Sequence, residues 1–326
     1  MKSCLSLFLL PLFILGLAQM PLAEEQPIRL GLIGLDTSHV IAFTKFLNDP
    51  THPDHVPGAK VVAAFKGGSP DIESSISRVD EYTEQLQKEW NIEIVDSIPE
   101  LCKKVDGILL ESVDGRPHLE QARPVIEAGL PLFIDKPLAG TYEDVLELAK
   151  LAKAKNVPWF GGSSLRWWQG VRDAIDPETV GDIIGCDAYS PCSLEEHHPD
   201  LFWYGVHGVE ILYAAMGKGC KQVSRYYTDD TDVVVGVWDD GRIGTFRGTR
   251  KGEHGYGATV FGSKKIATAS GHSYKGLVEQ IVKFFQTKLS PIDPAEMVEM
   301  YAFMQMADES KKLGGKPVAL PAISLE

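Results

Sequence analysis

The chain has 326 residues, 44% of them hydrophobic and 24% charged, the make-up of a globular protein with one large or two ordinary domains. That composition excludes a disordered chain, a collagen and a membrane bundle. Its 32 basic against 45 acidic residues give a net charge of −13, which argues against a nucleic-acid partner, because such binding rests on clustered Lys and Arg.

The N-terminus reads as an export signal. Lys2 precedes an apolar run from Leu5 to Leu17, broken by Pro11 and followed by Ala18, Ala23 and the acidic pair Glu24 and Glu25. The run is short for a bilayer span, so residues 1–23 are assigned as a signal peptide. The mature protein is expected outside the cytoplasm, periplasmic or extracellular, with no stable membrane span. No Arg-Arg pair precedes the run, so export of a folded, cofactor-loaded protein is not signalled. After Cys4, four cysteines remain: Cys102, Cys186, Cys192 and Cys220. They contain no CxxC pair, and one disulfide is compatible with an oxidising compartment, with partners that spacing cannot assign.

From Pro27 onward strands and helices alternate. The predicted strands are Ile28 to Gly34, Ala59 to Phe65, Ile92 to Val95, Asp106 to Val113, Leu130 to Ile134 and Val157 to Phe160. Helices are expected at His39 to Leu47 with Thr37 and Ser38 as caps, and at Ser77 to Glu89, Ile98 to Lys104, His118 to Ala128 and Tyr142 to Lys155. Apolar strands alternating with helices predict an α/β, doubly wound, Rossmann-like parallel sheet over residues 27–164.

Past residue 165 the texture changes to neighbouring strands: Asp182 to Ser190, Lys221 to Thr228, Asp232 to Asp239, Arg242 to Gly248 and Gly257 to Ser263. Asp239-Asp240-Gly241 reads as a hairpin turn. With helices at Tyr204 to Met216, Leu277 to Lys288 and Ala295 to Lys312, residues 165–326 predict an α+β domain with an open, mainly antiparallel sheet.

Ligands of open α/β sheets bind beyond the carboxyl ends of the strands. Four segments fall there: Gly34-Leu35-Asp36-Thr37-Ser38-His39, Asp114 to His118, Asp135-Lys136-Pro137 and Gly161 to Ser164. The phrase EAGLPLFIDKPLAG around Lys136, with His118, Arg166, YGVHGVE at 204–210 and ADESKKLGGKPVALP at 307–321, resembles the Gfo/Idh/MocA family. These are the glucose-fructose oxidoreductase, inositol dehydrogenase and MocA-like enzymes, and the resemblance spans nearly the whole chain after the signal.

The resemblance implies an N-terminal dinucleotide domain, an antiparallel-sheet domain that builds a homo-oligomer, and hydride transfer between NAD or NADP and a hydroxyl-bearing carbon of a sugar, polyol or glycoside. Lys136 would contact the reacting hydroxyl and the nicotinamide ribose, and His207 would serve as general acid or base. Gly34, Thr37, Ser38, His118 and Lys136 become cofactor-binding candidates, and Arg166 and Glu210 substrate-binding candidates.

The chain also departs from the family. A dinucleotide fingerprint G-x-G-x-x-G beginning at Gly34 meets Asp36 in its second place and His39 in its third. A carboxylate about 4 Å from a phosphate charge costs roughly 4 kcal/mol at an effective dielectric near 20, so Asp36→Gly is expected to tighten NAD binding. The second strand ends at Lys66 with no acidic residue for ribose hydroxyls, a lysine that suits either a ribose phosphate or plain solvent. Trp203 stands where the family has the Asp partner of the histidine, leaving Asp200 or Glu210 as substitutes.

A second reading is an exported, non-redox carbohydrate-binding or metal-assisted protein that keeps the fold without nucleotide. It rests on Glu195, Glu196, His197, His198, Asp200, His207 and Glu210 as metal ligands, and on Trp167, Trp168, Phe202, Trp203 and Tyr204 as surfaces for sugar rings.

Overall fold

A computed structural model describes residues 26–326. The signal-peptide assignment lies outside the described residues. Among those described, no helix is long and apolar enough to cross a membrane.

The first sheet is parallel and contains β1 (Ile28–Ile33), β2 (Ala59–Phe65), β3 (Glu93–Val95), β4 (Gly107–Leu110), β5 (Leu132–Asp135) and β6 (Trp159–Gly162). Their order is β3-β2-β1-β4-β5-β6, so the chain reverses its winding between β1 and β4. That reversal opens a crevice at the carboxyl ends of those two strands. Strands β4 and β5 are buried along their whole length, as central strands covered on both faces must be, and so is β6 at the sheet's edge.

The second sheet contains β7 (Ile183–Pro191), β8 (Cys220–Thr228), β9 (Thr231–Trp238), β10 (Ile243–Thr249), β11 (Gly257–Gly262), β12 (Ile266–Ser270) and β13 (Val318–Ala319). Its order is β12-β11-β7-β10-β9-β8-β13. Every pair is antiparallel except β7 with β10, so the sheet is mixed. Strand β9 alternates partly and fully buried residues along its length, the signature of a sheet with one covered face. The covering helices are Val206–Met216 and Pro294–Lys312. Strands β12 and β13 escape the sequence reading because they are edge strands of five and two residues, too short to show a period.

The first helix begins where its cap predicted. Thr37 accepts a hydrogen bond from the His39 amide at the start of α1 (Ser38–Asn48), and Thr141 caps Tyr142–Lys155 in the same way. The helix expected from Tyr204 instead starts as a wide π-type turn at Leu201–Gly205, which passes into the α-helix Val206–Met216.

Among the described residues the disulfide that spacing left open does not form: Cys102, Cys186, Cys192 and Cys220 are all free thiols. Burial pushes the Cys102 thiol up to about 11 and those of Cys186, Cys192 and Cys220 up to about 12. All four are therefore inert thiols at neutral pH.

Candidate active site

Four strand exits converge on a cavity of about 430 Å³. Its wall takes Thr37, Ser38 and His39 from the first turn, Val113 from the β4 exit, Lys136 from the β5 exit and Ser164 after β6. From the second sheet's side come Trp203, Tyr204, His207, Tyr256, His272 and Tyr274, and Ser74 and Arg78 close one end. The volume falls within the range of small-molecule sites.

The first turn is set by Gly34, which has φ +83°; a Cβ there would lie 2.2 Å from Ser112 Oγ and 2.5 Å from the Ser112 backbone. Glycine thus lets the β1 exit press against the β4 exit. Asp36 does not project over the helix N-terminus as expected. Its carboxylate is fully buried beneath the turn, accepting hydrogen bonds from the Val113 amide (2.9 Å) and Ser75 Oγ (2.6 Å). Burial raises its pKa against the pull of those two donors. Removing it would strand a buried amide and hydroxyl, so Asp36→Gly should lower stability by about 2 kcal/mol in urea unfolding. It should also change nucleotide affinity by less than about threefold rather than tighten it, since each tenfold needs about 1.4 kcal/mol of new interaction.

Lys136 follows β5 directly. Its ammonium lies 5.5 Å from the centre of the Tyr204 ring and has no ion-pair partner within 4 Å among the described residues. Burial lowers its pKa, with Asp135 opposing that shift and Arg78 adding to it. His207, at the start of Val206–Met216, shares its Nδ1 with the Ser163 hydroxyl at 2.7 Å. Burial, and then the positive charge of Lys136, drive its pKa well below the ordinary value, so it is neutral at physiological pH.

Other candidates lie elsewhere. Arg166 and Glu210 do not line the cavity as substrate ligands. Arg166 Nε donates to Glu210 Oε2 at 2.7 Å and its NH1 group to Glu296 Oε1 at 2.8 Å, in a buried cluster where Glu210 Oε1 also accepts from the Ser163 amide. Glu210 faces the β6 exit, and Gly162 makes room for it: a Cβ at Gly162 would lie 2.1 Å from Glu210 Oε1. The cluster therefore positions Ser163, and through it His207. His118 is no cofactor ligand either. Its ring is fully buried with Nε2 on the Ser112 carbonyl at 2.9 Å, where it braces the β4 exit.

The proposed partners of His207 are also engaged elsewhere. Asp200 pairs with Arg225 (3.0 Å) and Lys311 (2.5 Å), and the role goes to Ser163, 44 positions upstream. Lys66 pairs with Asp80 at 2.5 Å on the surface, which removes the hint of a waiting phosphate site.

The metal reading fails on geometry. Among the described residues no three His, Cys, Asp or Glu side chains are grouped to hold an ion. His197 pairs with Glu195 at 3.0 Å, and His198 is buried against Asp114 at 3.1 Å. Of the aromatic set, Trp203 and Tyr204 face the cavity while Phe202 packs edge-on against Tyr301 in the core.

The residue that sequence reasoning missed is His39. It read only as a departure from a glycine pattern, yet its Nδ1 lies 2.6 Å from Asp135 Oδ2. Its adjacency to the Asp-Lys-Pro segment, 96 positions away, had no local signal.

The residues fit the phosphate and nicotinamide end of a dinucleotide. The first turn of α1 opens on the cavity with Thr37 and Ser38, and helix N-termini attract anions. They do not reproduce the usual seat for the adenosine ribose, since the Gly34 and Leu35 amides bond the Phe65 and Lys66 carbonyls at 3.1 and 2.8 Å and no carboxylate follows β2.

Comparison with known proteins agrees with this architecture. Residues 43–162 match the family model GFO_IDH_MocA, the oxidoreductase family with an NAD-binding Rossmann fold. An uncharacterized oxidoreductase of Streptococcus pneumoniae is 27% identical over 128 residues, covering 37% of this chain and 34% of that protein. The match thus spans about a third of the relative's length.

Among solved structures, scyllo-inositol dehydrogenase from Lactobacillus casei with bound NAD(H) and scyllo-inositol superposes with a TM-score of 0.72 at 14% identity. The superposition covers 90% of this chain and 99% of that one. GenD2 from gentamicin A biosynthesis, in complex with NAD, gives 0.71 at 15% identity, over 94% and 100% of the two chains.

Proposed function

We propose that this chain, which carries the Rossmann domain of the Gfo/Idh/MocA oxidoreductases and their two-sheet fold, is an NAD(P)-dependent dehydrogenase of a sugar, polyol or glycoside hydroxyl. The observation that carries the reading is the convergence of Lys136 and two imidazoles, those of His39 and His207, on one cavity at the strand exits. That is what an alcohol oxidation requires: a fixed positive charge for the developing alkoxide and a base for its proton.

Thr37 and Ser38 at the α1 N-terminus would hold the cofactor's phosphates, and Lys136 its ribose. When bound, the nicotinamide supplies the hydride acceptor. Lys136 donates a hydrogen bond to the substrate oxygen and stabilises it as its proton leaves. Ser163 fixes the His207 ring, and Trp203, Tyr204 and Tyr256 offer faces for a sugar ring while excluding water.

The site of action outside the cytoplasm rests on Lys2 and the apolar run that follows it. Self-association through the open face of the second sheet is supported by Ile184, Tyr226, Ile243 and Ile266, all more than half exposed on its strands.

The test is to incubate purified protein with NAD⁺ or NADP⁺ and a panel of inositols, aldoses and glycosides, following nicotinamide reduction by absorbance. Nucleotide released on denaturation is measured in parallel. Turnover of at least one polyhydroxylated alcohol is expected. No turnover across the panel, together with no bound nucleotide and no thermal shift from either dinucleotide, overturns the reading.

A further inference from the structure

Position 39, which the fingerprint leaves to glycine, holds a histidine built into the cavity wall. His39 is 6% exposed and its partner Asp135 1%, and their 2.6 Å contact joins the start of α1 to the end of β5. The ring is stacked on Phe43 with centroids 5.1 Å apart and held edge-on by Tyr274 at 4.9 Å, so its direction is fixed. Nδ1 is spent on Asp135. Nε2 has no protein partner among the described residues, on a residue that lines the cavity.

We propose that His39, oriented by Asp135, is the base that takes the hydroxyl proton, and that His207 is a hydrogen-bonding neighbour of the substrate. The inference rests on the oxidation proposed above. A carboxylate behind an imidazole fixes its tautomer and stabilises the imidazolium that proton transfer creates. His39 has one and His207 does not, since Ser163 supplies only a hydroxyl.

The groups facing His39 are Asp135 and Lys136 at the β5 exit, Tyr274 ahead of the helix Lys275–Thr287, and His207 and His272 across the cavity. Burial raises the Asp135 pKa, but His39 and Lys136 outweigh it and keep the carboxyl below its ordinary value. Glu111 beside it is buried without a hydrogen-bond partner and is pushed far up, first by burial and then by Asp135, so it stays neutral. One negative charge therefore backs His39. His207 is surrounded by Lys136, His39 and His272, all of which oppose its protonation.

In the step itself the substrate O–H bond breaks with its proton passing to His39 Nε2, and the electron pair left on oxygen forms the C=O π bond. The C–H pair departs as hydride to the oxidised nicotinamide, and the imidazolium then returns its proton to solvent.

Two measurements test this. Carbethoxylation by diethyl pyrocarbonate, mapped by peptide mass, needs neither substrate nor cofactor. His39 should label in the native protein faster than His207, and Asp135→Asn should slow its labelling about tenfold. An unlabelled His39, or a rate indifferent to Asp135, overturns the dyad.

With the alcohol that the panel shows to be oxidised, His39→Gln should lower kcat about a hundredfold while KM changes little. A larger loss in His207→Gln than in His39→Gln overturns the assignment. Fast, Asp135-dependent labelling of His39 without any alcohol oxidation would overturn the oxidation reading, and with it the hydroxyl as proton donor, while leaving the dyad.

Discussion

Replacing Lys136 by Met should lower kcat for alcohol oxidation about a thousandfold, or about 4 kcal/mol of transition-state stabilisation. Met keeps the length and apolar stem of Lys and loses only the charge. That charge stands in the cavity without an ion-pair partner among the described residues, over the Tyr204 ring and among three histidines of the wall. It is therefore free to meet an alkoxide, which the substrate forms in the transition state and lacks in the ground state. KM should move much less than kcat, and thermal stability should be unchanged or slightly raised, because an unpaired, largely desolvated cation is being removed. A Lys136→Met protein that keeps its turnover within about tenfold would show that the ammonium is not at the reacting oxygen.

The largest effect on stability is expected at Arg166. Although burial works against its charge, Glu210 and Glu296 hold the guanidinium charged, and its contacts to them are 2.7 and 2.8 Å. Arg166→Ala leaves Glu210 as an unpaired carboxylate with no exposed surface, a loss of about 3–5 kcal/mol. For a chain of this size that corresponds to a fall in Tm of about 10 °C in a thermal scan.

Activity should fall as well, because Glu210 also receives the Ser163 amide at 3.1 Å and Ser163 carries His207. A double change of Arg166→Met with Glu210→Leu should recover much of the stability but not the activity, since no acceptor then remains for the Ser163 amide. A Tm within 2 °C of wild type for Arg166→Ala, the scale of about 1 kcal/mol or less, would mean that the cluster is not a buried ion pair.

The two tests read different layers of one construction. Lys136 and His39 line the cavity, while Arg166, Glu210 and Ser163 lie behind it and fix the direction in which His207 points. His118 and Asp36 form a similar support on the other side, tying the β1 and β4 exits together through Ser112 and Val113. Sequence reading assigned several of these residues to ligand contact. They are polar residues at strand exits, where ligands bind, but a strand exit also needs buried donors and acceptors to close its turns.

What the sequence determined by itself was local. The apolar runs of β1, β2, β4, β5 and β6, alternating with helical segments, imply a parallel sheet. The longer neighbouring strands after residue 165 imply the second, mixed one. Gly34 and Lys136 were placed at strand exits by the apolar runs before them, and the role expected of Lys136 came from the family resemblance of the segment around it.

The tertiary structure alone decided where side chains point and what they meet. Asp36 turned beneath its loop because Val113, 77 positions on, offered an amide there. His39 became a dyad with Asp135 across 96 positions, and Ser163 replaced the missing carboxylate behind His207 across 44. Hydrophobic period is a property of neighbours in the chain and survives in the sequence. The pairing of one buried polar atom with another is fixed by packing between distant segments, because each such group must find a partner once water is excluded.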